Sequence, residues 1–408
     1  NYRRLIMIAV EEAMKIIHAN LGNWGVEEIS LDQSLGRILR EEIVADRDFP
    51  PFNRVTMDGI GLNFNQFEKG QRVFQINGLA PAGGIQKELK NPSFCLEVMT
   101  GASVPKGIDV VVRYEDLEIK DGKATVMLSS LSPNQNIHFK GSDRHQGAVI
   151  LSPGKCISAS EVGVCATVGK NIISVSRLPK TLIVSSGDEL VNIDQMPLPH
   201  QIRRSNVYRI ATVLNSYQIR PSIMHLTDNY DEIVNRLNGE ISDYDLILLS
   251  GGVSAGKFDY LPEALLAIGV EKLFHKVKQR PGKPFWFGKK DNKLVFAFPG
   301  NPVSSFMCAQ QYFKPWLNHS LQSSDLELPW AELVEDVHFK PDLTYFLEVK
   351  IVFHSSGKIK AYPVKGNGSG DLANLVDADA FIQLPSGRND FQKGEIFPFI
   401  AYRNLIRG

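Results

Sequence analysis

The chain has 408 residues, with 45 basic side chains against 45 acidic ones and 43% hydrophobic content, enough apolar material for about two to four domains with sizeable cores. Zero formal net charge offers no global basic field to nucleic acid or an anionic membrane surface, so any anion site must be local. No apolar run approaches the roughly 18 residues of a membrane span and no secretory signal precedes the first helix, which predicts a cytoplasmic protein without nucleic-acid or membrane partners.

Val10, Ala13, Met14 and Ile17 recur at helical spacing with Glu11 and Glu12 opposite, predicting an amphipathic helix that stops by Gly22. A second short helix is expected over 35–43. The paired prolines of FPPFNRVTMDG then forbid helix continuation and mark a crossing segment. Short β-like pieces at 72–76 and 109–114, set between Gly, Pro and Asn clusters, predict an inserted small β domain over 46–140. Residues 141–178 carry the glycine-bounded GSDRHQG and the helical SASEVGVCATVG. They are expected to pack back on the N-terminal helix, so that 1–45 and 141–178 form one linking helical domain.

Apolar strands at 181–185, 221–225, 245–250 and 294–298 alternate with helical stretches near 206–217, 229–241 and 260–268. That alternation predicts a parallel α/β sheet domain over 179–325. Ligands in such sheets bind beyond the carboxyl ends of the strands, here SSGDEL, HLTDN, SGGVSAG and FPGNPVSS. The remainder, 326–408, reads as strands with turns at 355–357 and 366–370, a C-terminal β barrel or sandwich.

The most informative stretch is DLILLSGGVSAGKFD, where an apolar strand runs into Gly251, Gly252 and Gly256 and then Asp259. Such glycines let backbone N–H groups face an anion. Phe258 stands where a P-loop needs a Ser or Thr for Mg²⁺, and the glycines run G-G-x-x-x-G rather than G-x-G-x-x-G, which argues against an ordinary NTPase and against a dinucleotide site.

Five carboxylates stand out: Asp58 before Gly59, Asp143 in its glycine-bounded loop, and Glu189, Asp228 and Asp259 beyond strands. Singly each is also what a turn or helix cap uses; together they suit Mg²⁺ and phosphate, because Mg²⁺ is commonly held by one or two carboxylates plus phosphate oxygens. Lys276, Lys278 and Arg280 alternate along an expected strand, and Pro281 and Gly282 turn the chain to present Lys283. This fits either a charge-defended edge strand or an oxyanion site. PGNPVSSF opens a helix whose first N–H groups, with Ser304 and Ser305, serve as a cap or a second anion cradle. Thr100, Gly101 and Ala102 make a comparable small-residue turn. Cys95, Cys156, Cys165 and Cys308 have apolar neighbours and no metal-ligand spacing, and read as buried thiols.

PPFNRVTMDG, MTGASVPKGIDVVV, SSGDEL, SNVYRIATVL, SGGVSAGKFDY, RPGKPFWFG and FPGNPVSSF, in this order across nearly the whole chain, closely resemble the molybdopterin molybdenumtransferase family, which includes the E domain of gephyrin. The resemblance implies a multidomain α/β plus β architecture: an elongated, L-shaped, four-domain subunit with a molybdopterin-binding type of central sheet, a β insertion and a C-terminal β barrel. It implies insertion of molybdate into adenylylated molybdopterin with adenylate hydrolysis, AMP release and formation of molybdenum cofactor, using Mg²⁺ or a similar ion. It also implies a homodimer whose clefts each combine the α/β domain of one subunit with the β insertion of the other. A molybdopterin adenylyltransferase and cofactor-accepting enzymes are further implied partners. Carried onto this sequence, metal and adenylate chemistry falls to Asp58, Asp143, Glu189, Asp228 and Asp259, with Thr100 beside them; Asp58, Glu189, Asp228 and Asp259 are the implied metal ligands. Molybdate and pterin contacts fall to Gly251, Gly252, Ser254, Lys276, Arg280, Lys283, Pro284, Ser304 and Ser369.

The sequence departs from the family pattern in three places. Asn53, Arg54, Val55 and Thr56 replace an Asp-Asn-Ser-Ala type run before Met57; Lys257 stands where an acid is common; and TYFLEVK places Glu348 where the family often has an arginine, with Lys350 on the same strand face. A non-catalytic binding module on this fold and an adenylyltransferase are the competing readings. The array of acids opposes the first, and the β insertion and C-terminal domain oppose the second.

Overall fold

Thr181–Ser186 and Leu246–Ser250 are buried at every position because both faces of their sheet are covered, which is why these strands read as continuous apolar runs. Ile183, Leu246, Leu248, Phe296 and Phe298 face one core, while Leu182, Val184, Ile247, Leu249 and Val295 face the other, which the helices Tyr230–Glu240 and Leu261–Ala267 help to build. The computed structural model describes residues 7–253, 259–324, 327–366 and 368–405. One compact unit gathers the chain up to Arg40, Pro153–Ala159 and everything from Ile172 onward; the other comprises Glu41–Ser152 and Ser160–Asn171.

The central sheet of the first unit has six strands in the order Ser222–Leu226, Thr181–Ser186, Leu246–Ser250, Lys293–Phe298, Trp286–Lys290, Glu271–His275. The first four run parallel; the last two are antiparallel additions at one edge, which the sequence reading did not anticipate. Strand order reverses between Thr181–Ser186 and Leu246–Ser250, so the carboxyl ends of these two strands flank the crevice where an α/β sheet places its ligand.

The N-terminal helix runs Val10–His18 and buries Val10, Ala13 and Ile17. It closes before Gly22, where the Ala19 and Asn20 N–H groups donate to Lys15 and Ile17. Strand Val26–Ser30 pairs with Ile172–Ser176, so the returning segment joins the strand that follows the helix. The helix expected over 35–43 does not form. Ile38 and Leu39 are adjacent and both buried, and an extended chain buries neighbours on opposite sides; accordingly they bridge to Cys156 and Val175.

Thr344–Phe353, Ile359–Pro363, Trp330–Leu333, Ile396–Ala401 and Ala380–Leu384 pair in that cyclic order, the last closing on the first, and form a five-stranded barrel. Gln279–Arg280 adds to it in parallel beside Thr344 and Tyr345.

In the second unit a six-stranded sheet runs Val110–Arg113, Gly59–Leu62, Phe94–Val98, Val73–Ala80, Lys123–Val126, Leu117–Lys120. Apolar clusters cover both of its sides. Cys95, Cys165 and Cys308 are buried and Cys156 is half-buried, all unbridged, as their apolar neighbours predicted.

Candidate active site

Beyond the switch point of the central sheet lies a cleft of about 1220 Å³. Glu189, Asp228 and Asp259 line it together with Gly251 and Gly252; Arg280, Lys283, Pro284, Ser304, Glu348 and Ser369 line it as well. Of the first-unit residues picked from the sequence, Lys276 is not part of this lining. Ser254 lies outside the described residues, as do Gly256, Lys257 and Phe258.

Each wall has a local cause. Gly251 holds φ at 96°, and a Cβ there would stand 2.9 Å from the Ser186 carbonyl oxygen, so only glycine lets the chain turn this close to the neighbouring strand. The loops after Thr181–Ser186 and Ser222–Leu226 are laced together: the Asp228 N–H donates to Asp188 at 3.0 Å, the Asp188 N–H donates to Asp228 at 3.4 Å, and Ser186 Oγ donates to Asp228 at 3.2 Å. Asp228 is thus fixed in direction while half-buried; Glu189 is exposed.

The basic turn is built differently from the expected strand face. Lys276 adopts φ +77°, which interrupts an extended strand, and Lys278 is drawn to Asp342 at 2.6 Å. Arg280 and Lys283 remain exposed at the cleft, with the Arg280 guanidinium 5.8 Å from the centre of the Phe339 ring. On the adjoining side, helix Pro302–Cys308 carries the buried Ser304. The Asn301 amide donates to Ser369 Oγ at 2.9 Å and the Val303 N–H donates to the Ser369 carbonyl at 3.2 Å, so Ser369 is tied to the start of that helix. Ser305 is buried and turned away from the cleft lining.

Glu348 sits in the cleft wall with Oε1 buried and without a hydrogen-bond donor among the described residues. Burial raises its pKa above the usual carboxyl value, the neighbouring Asn374 amide opposing the shift and the Asp371 charge adding to it.

Several residues that organise this cleft escaped the sequence reading. Asn206 donates to Ser250 Oγ at 3.1 Å and to the Gly300 carbonyl at 2.7 Å, joining two strand ends. The His275 ring nitrogen Nε2 donates to the Val253 carbonyl at 2.9 Å, pinning the entry of the glycine loop, and burial lowers the pKa of His275 despite that bond. The motif SNVYRIATVL contained Asn206, but nothing local to it marks a strand-end clamp.

Asp58, Thr100 and Asp143 belong to the second unit. There the Thr100 N–H donates to Asp58 Oδ1 at 2.6 Å, and this bond, followed by the Thr100 hydroxyl, holds the exposed Asp58 carboxyl below the usual range. Asp143 instead meets His138 Nε2 at 2.8 Å, and Arg54 approaches His138 Nδ1 at 3.2 Å. Among the described residues no group of three or more His, Cys, Asp or Glu side chains converges as a metal cage.

A mixed sheet with a crevice at its switch point, lined by carboxylates and by a basic turn and joined to a C-terminal barrel, defines a multidomain α/β class of protein. Comparison with known proteins sharpens that class. Residues 8–169 match the MoeA N-terminal region (domain I and II), residues 182–319 match a probable molybdopterin binding domain, and residues 331–402 match the MoeA C-terminal region (domain IV). A molybdopterin molybdenumtransferase of Synechocystis is 39% identical over 400 residues, spanning 97% of this chain and 100% of that protein. One from Staphylococcus epidermidis is 30% identical over 403 residues, covering 96% and 95%. The crystal structure of a molybdopterin biosynthesis MoeA protein from Pyrococcus horikoshii superposes with a TM-score of 0.84 at 24% identity, over 97% of this chain and 100% of that one. The chain belongs to the molybdopterin molybdenumtransferase (MoeA) family.

Proposed function

We propose that this protein inserts molybdate into adenylylated molybdopterin, cleaving the adenylate, releasing AMP and forming molybdenum cofactor in the cytoplasm. The observation that carries the reading is one cleft holding Glu189, Asp228 and Asp259 together with Arg280, Lys283 and Ser304. The cationic turn binds and orients a tetrahedral dianion, Arg280 through a planar fork and Lys283 as a point charge. Ser304 and Ser369 supply hydroxyls beside it. One or two of the carboxylates Glu189, Asp228 and Asp259 would hold Mg²⁺, which would supply charge neutralisation for cleavage of the adenylate. The glycine loop at Gly251 and Gly252 admits the substrate close to the backbone.

A homodimer completes the proposal. Asp58 and Thr100 form an ordered, exposed acceptor–donor pair in the β-sheet unit; by family resemblance they serve the cleft of the second subunit. Purified protein supplied with adenylylated molybdopterin, molybdate and Mg²⁺ should restore activity to a cofactor-free molybdoenzyme. Binding of the pterin without that transfer would reduce the protein to a scaffold on this fold.

A further inference from the structure

Directly behind the basic turn lies a polar network that the reaction has no obvious need of. Gln279, Cys308 and Tyr312 have 0% exposure and are surrounded by apolar groups, with Phe285 stacked on Tyr312 at 4.7 Å between ring centres. Tyr312 Oη bonds to Gln279 Oε1. A carboxamide oxygen only accepts, so the phenol is the donor and the amide orientation is set. Gln279 Nε2 is thereby aimed at the Gly282 carbonyl, 2.9 Å away, with Cys308 Sγ at 3.5 Å. The Cys308 thiol donates to the same carbonyl at 3.8 Å. Gly282 itself holds φ +90°, and a Cβ there would stand 2.6 Å from Cys308 Sγ.

An apolar trio of similar size would fill this space without desolvating three polar groups. What the polar trio adds is direction. It grips the Gly282 carbonyl, between Arg280 and Lys283, while the Val277 N–H donating to the Lys283 carbonyl at 2.9 Å closes the loop from the other end. Tyr312 rides on a π-helical turn, Ala309–Phe313, within the longer helix that begins at Pro302; π turns are frequent at functional sites.

We propose that Tyr312 and Gln279 are positioning residues for oxyanion binding: the phenol locks the carboxamide, the carboxamide holds the Gly282 carbonyl, and the turn so fixed presents Arg280 and Lys283 at a set separation to the bound dianion. This rests on the reading of Arg280 and Lys283 as the molybdate site.

The test compares Tyr312→Phe, which removes the phenol donor, with Gln279→Met, which is of similar length but has neither an acceptor for Tyr312 nor a donor for the Gly282 carbonyl. Arg280→Ala serves as reference. Both positioning variants should raise the half-saturating molybdate concentration about five- to tenfold, the loss expected for one directed hydrogen bond, with the KM for adenylylated molybdopterin unchanged. Molybdate alone should also raise the Tm of each variant less than that of wild type at equal concentration; because each protein is its own reference, this holds where the substitution lowers basal stability. A wild-type molybdate requirement and Tm rise in both variants, beside a shifted Arg280→Ala, would leave the network a core feature and overturn the proposal. A wild-type requirement in Arg280→Ala would instead remove the molybdate site itself, and with it anything for the network to position.

Discussion

Arg280 and Lys283 flank a Pro-Gly turn and are exposed at the cleft, so their charges are available to a ligand without a buried ion pair having to break. Losing one charge-assisted contact costs about 1.5–3 kcal/mol. Arg280→Ala and Lys283→Ala should therefore each raise the molybdate requirement roughly ten- to a hundredfold, read by titrating molybdate against turnover. Glu348 works in the opposite sense. Its folded-state pKa is raised by burial, so the native state binds the proton more tightly than the unfolded chain does. Stability is then unaffected at pH below the ordinary carboxyl range, falls as pH climbs towards the raised folded value, and stays lowered above it. Glu348→Gln, neutral throughout, should match wild type in Tm at low acid pH and exceed it at pH 8; equal Tm values at both would show that the carboxylate is well solvated. Glu348→Arg should lower the half-saturating molybdate concentration by adding a cation to the same wall. The Pro-Gly turn between Arg280 and Lys283 was legible because that pair is a local signal, while the cation alternation misled, since Lys276 interrupts the strand and Lys278 pairs with Asp342. The supports of the cleft were not legible: Tyr312 reaches Gln279 across 33 positions, and Asn206 reaches Gly300 across 94.

Elements carry the next level of organisation. Strand Leu246–Ser250 ends at Gly251 because the neighbouring Ser186 carbonyl leaves no room for a side chain, and helix Leu261–Ala267 follows just after Asp259. Asp259→Asn should lower AMP release at least about tenfold, the equivalent of roughly 1.4 kcal/mol in transition-state contact, with Tm unchanged; full activity would remove Asp259 from the chemistry. The turn itself is predicted to be intolerant. Gly282→Ala places a methyl 2.6 Å from a buried sulfur at φ +90°, an overpacking that costs typically 1–3 kcal/mol and should be visible as a lowered Tm. The parallel strands were legible because burial on both faces makes them uniformly apolar. Residues 35–43 misled because a short apolar run fits either period, and its partners at Cys156 and Val175 lie far along the chain. Trp286–Lys290, hidden in RPGKPFWFG, went unassigned because its antiparallel place depends on pairing with Glu271–His275 and Lys293–Phe298.

At the scale of the whole molecule, the residues picked from the sequence divide between the two units: Asp58, Thr100 and Asp143 in one, the cleft-lining acids, cations and serines in the other. The β insertion expected over 46–140 already held Asp58 and Thr100 apart from the later residues, whereas Asp143 was grouped with the N-terminal segment; the second unit is interrupted by a return of the chain through Pro153–Ala159. If Asp58 and Thr100 act on the cleft of a second copy, sedimentation at micromolar concentration should show a species of twice the chain mass, and Asp58→Asn mixed with Arg280→Ala should regain activity through hybrid dimers with one intact cleft. A single-chain species that is fully active would remove the shared site.

The central claim is that this cleft couples adenylate cleavage to molybdate, and the most direct measurement is AMP release from adenylylated molybdopterin as molybdate is titrated with Mg²⁺ present. The account predicts saturable, molybdate-dependent release whose half-saturation moves to higher concentration in Arg280→Ala and Lys283→Ala. Release that is independent of molybdate, or a half-saturation identical in all three proteins, would contradict it.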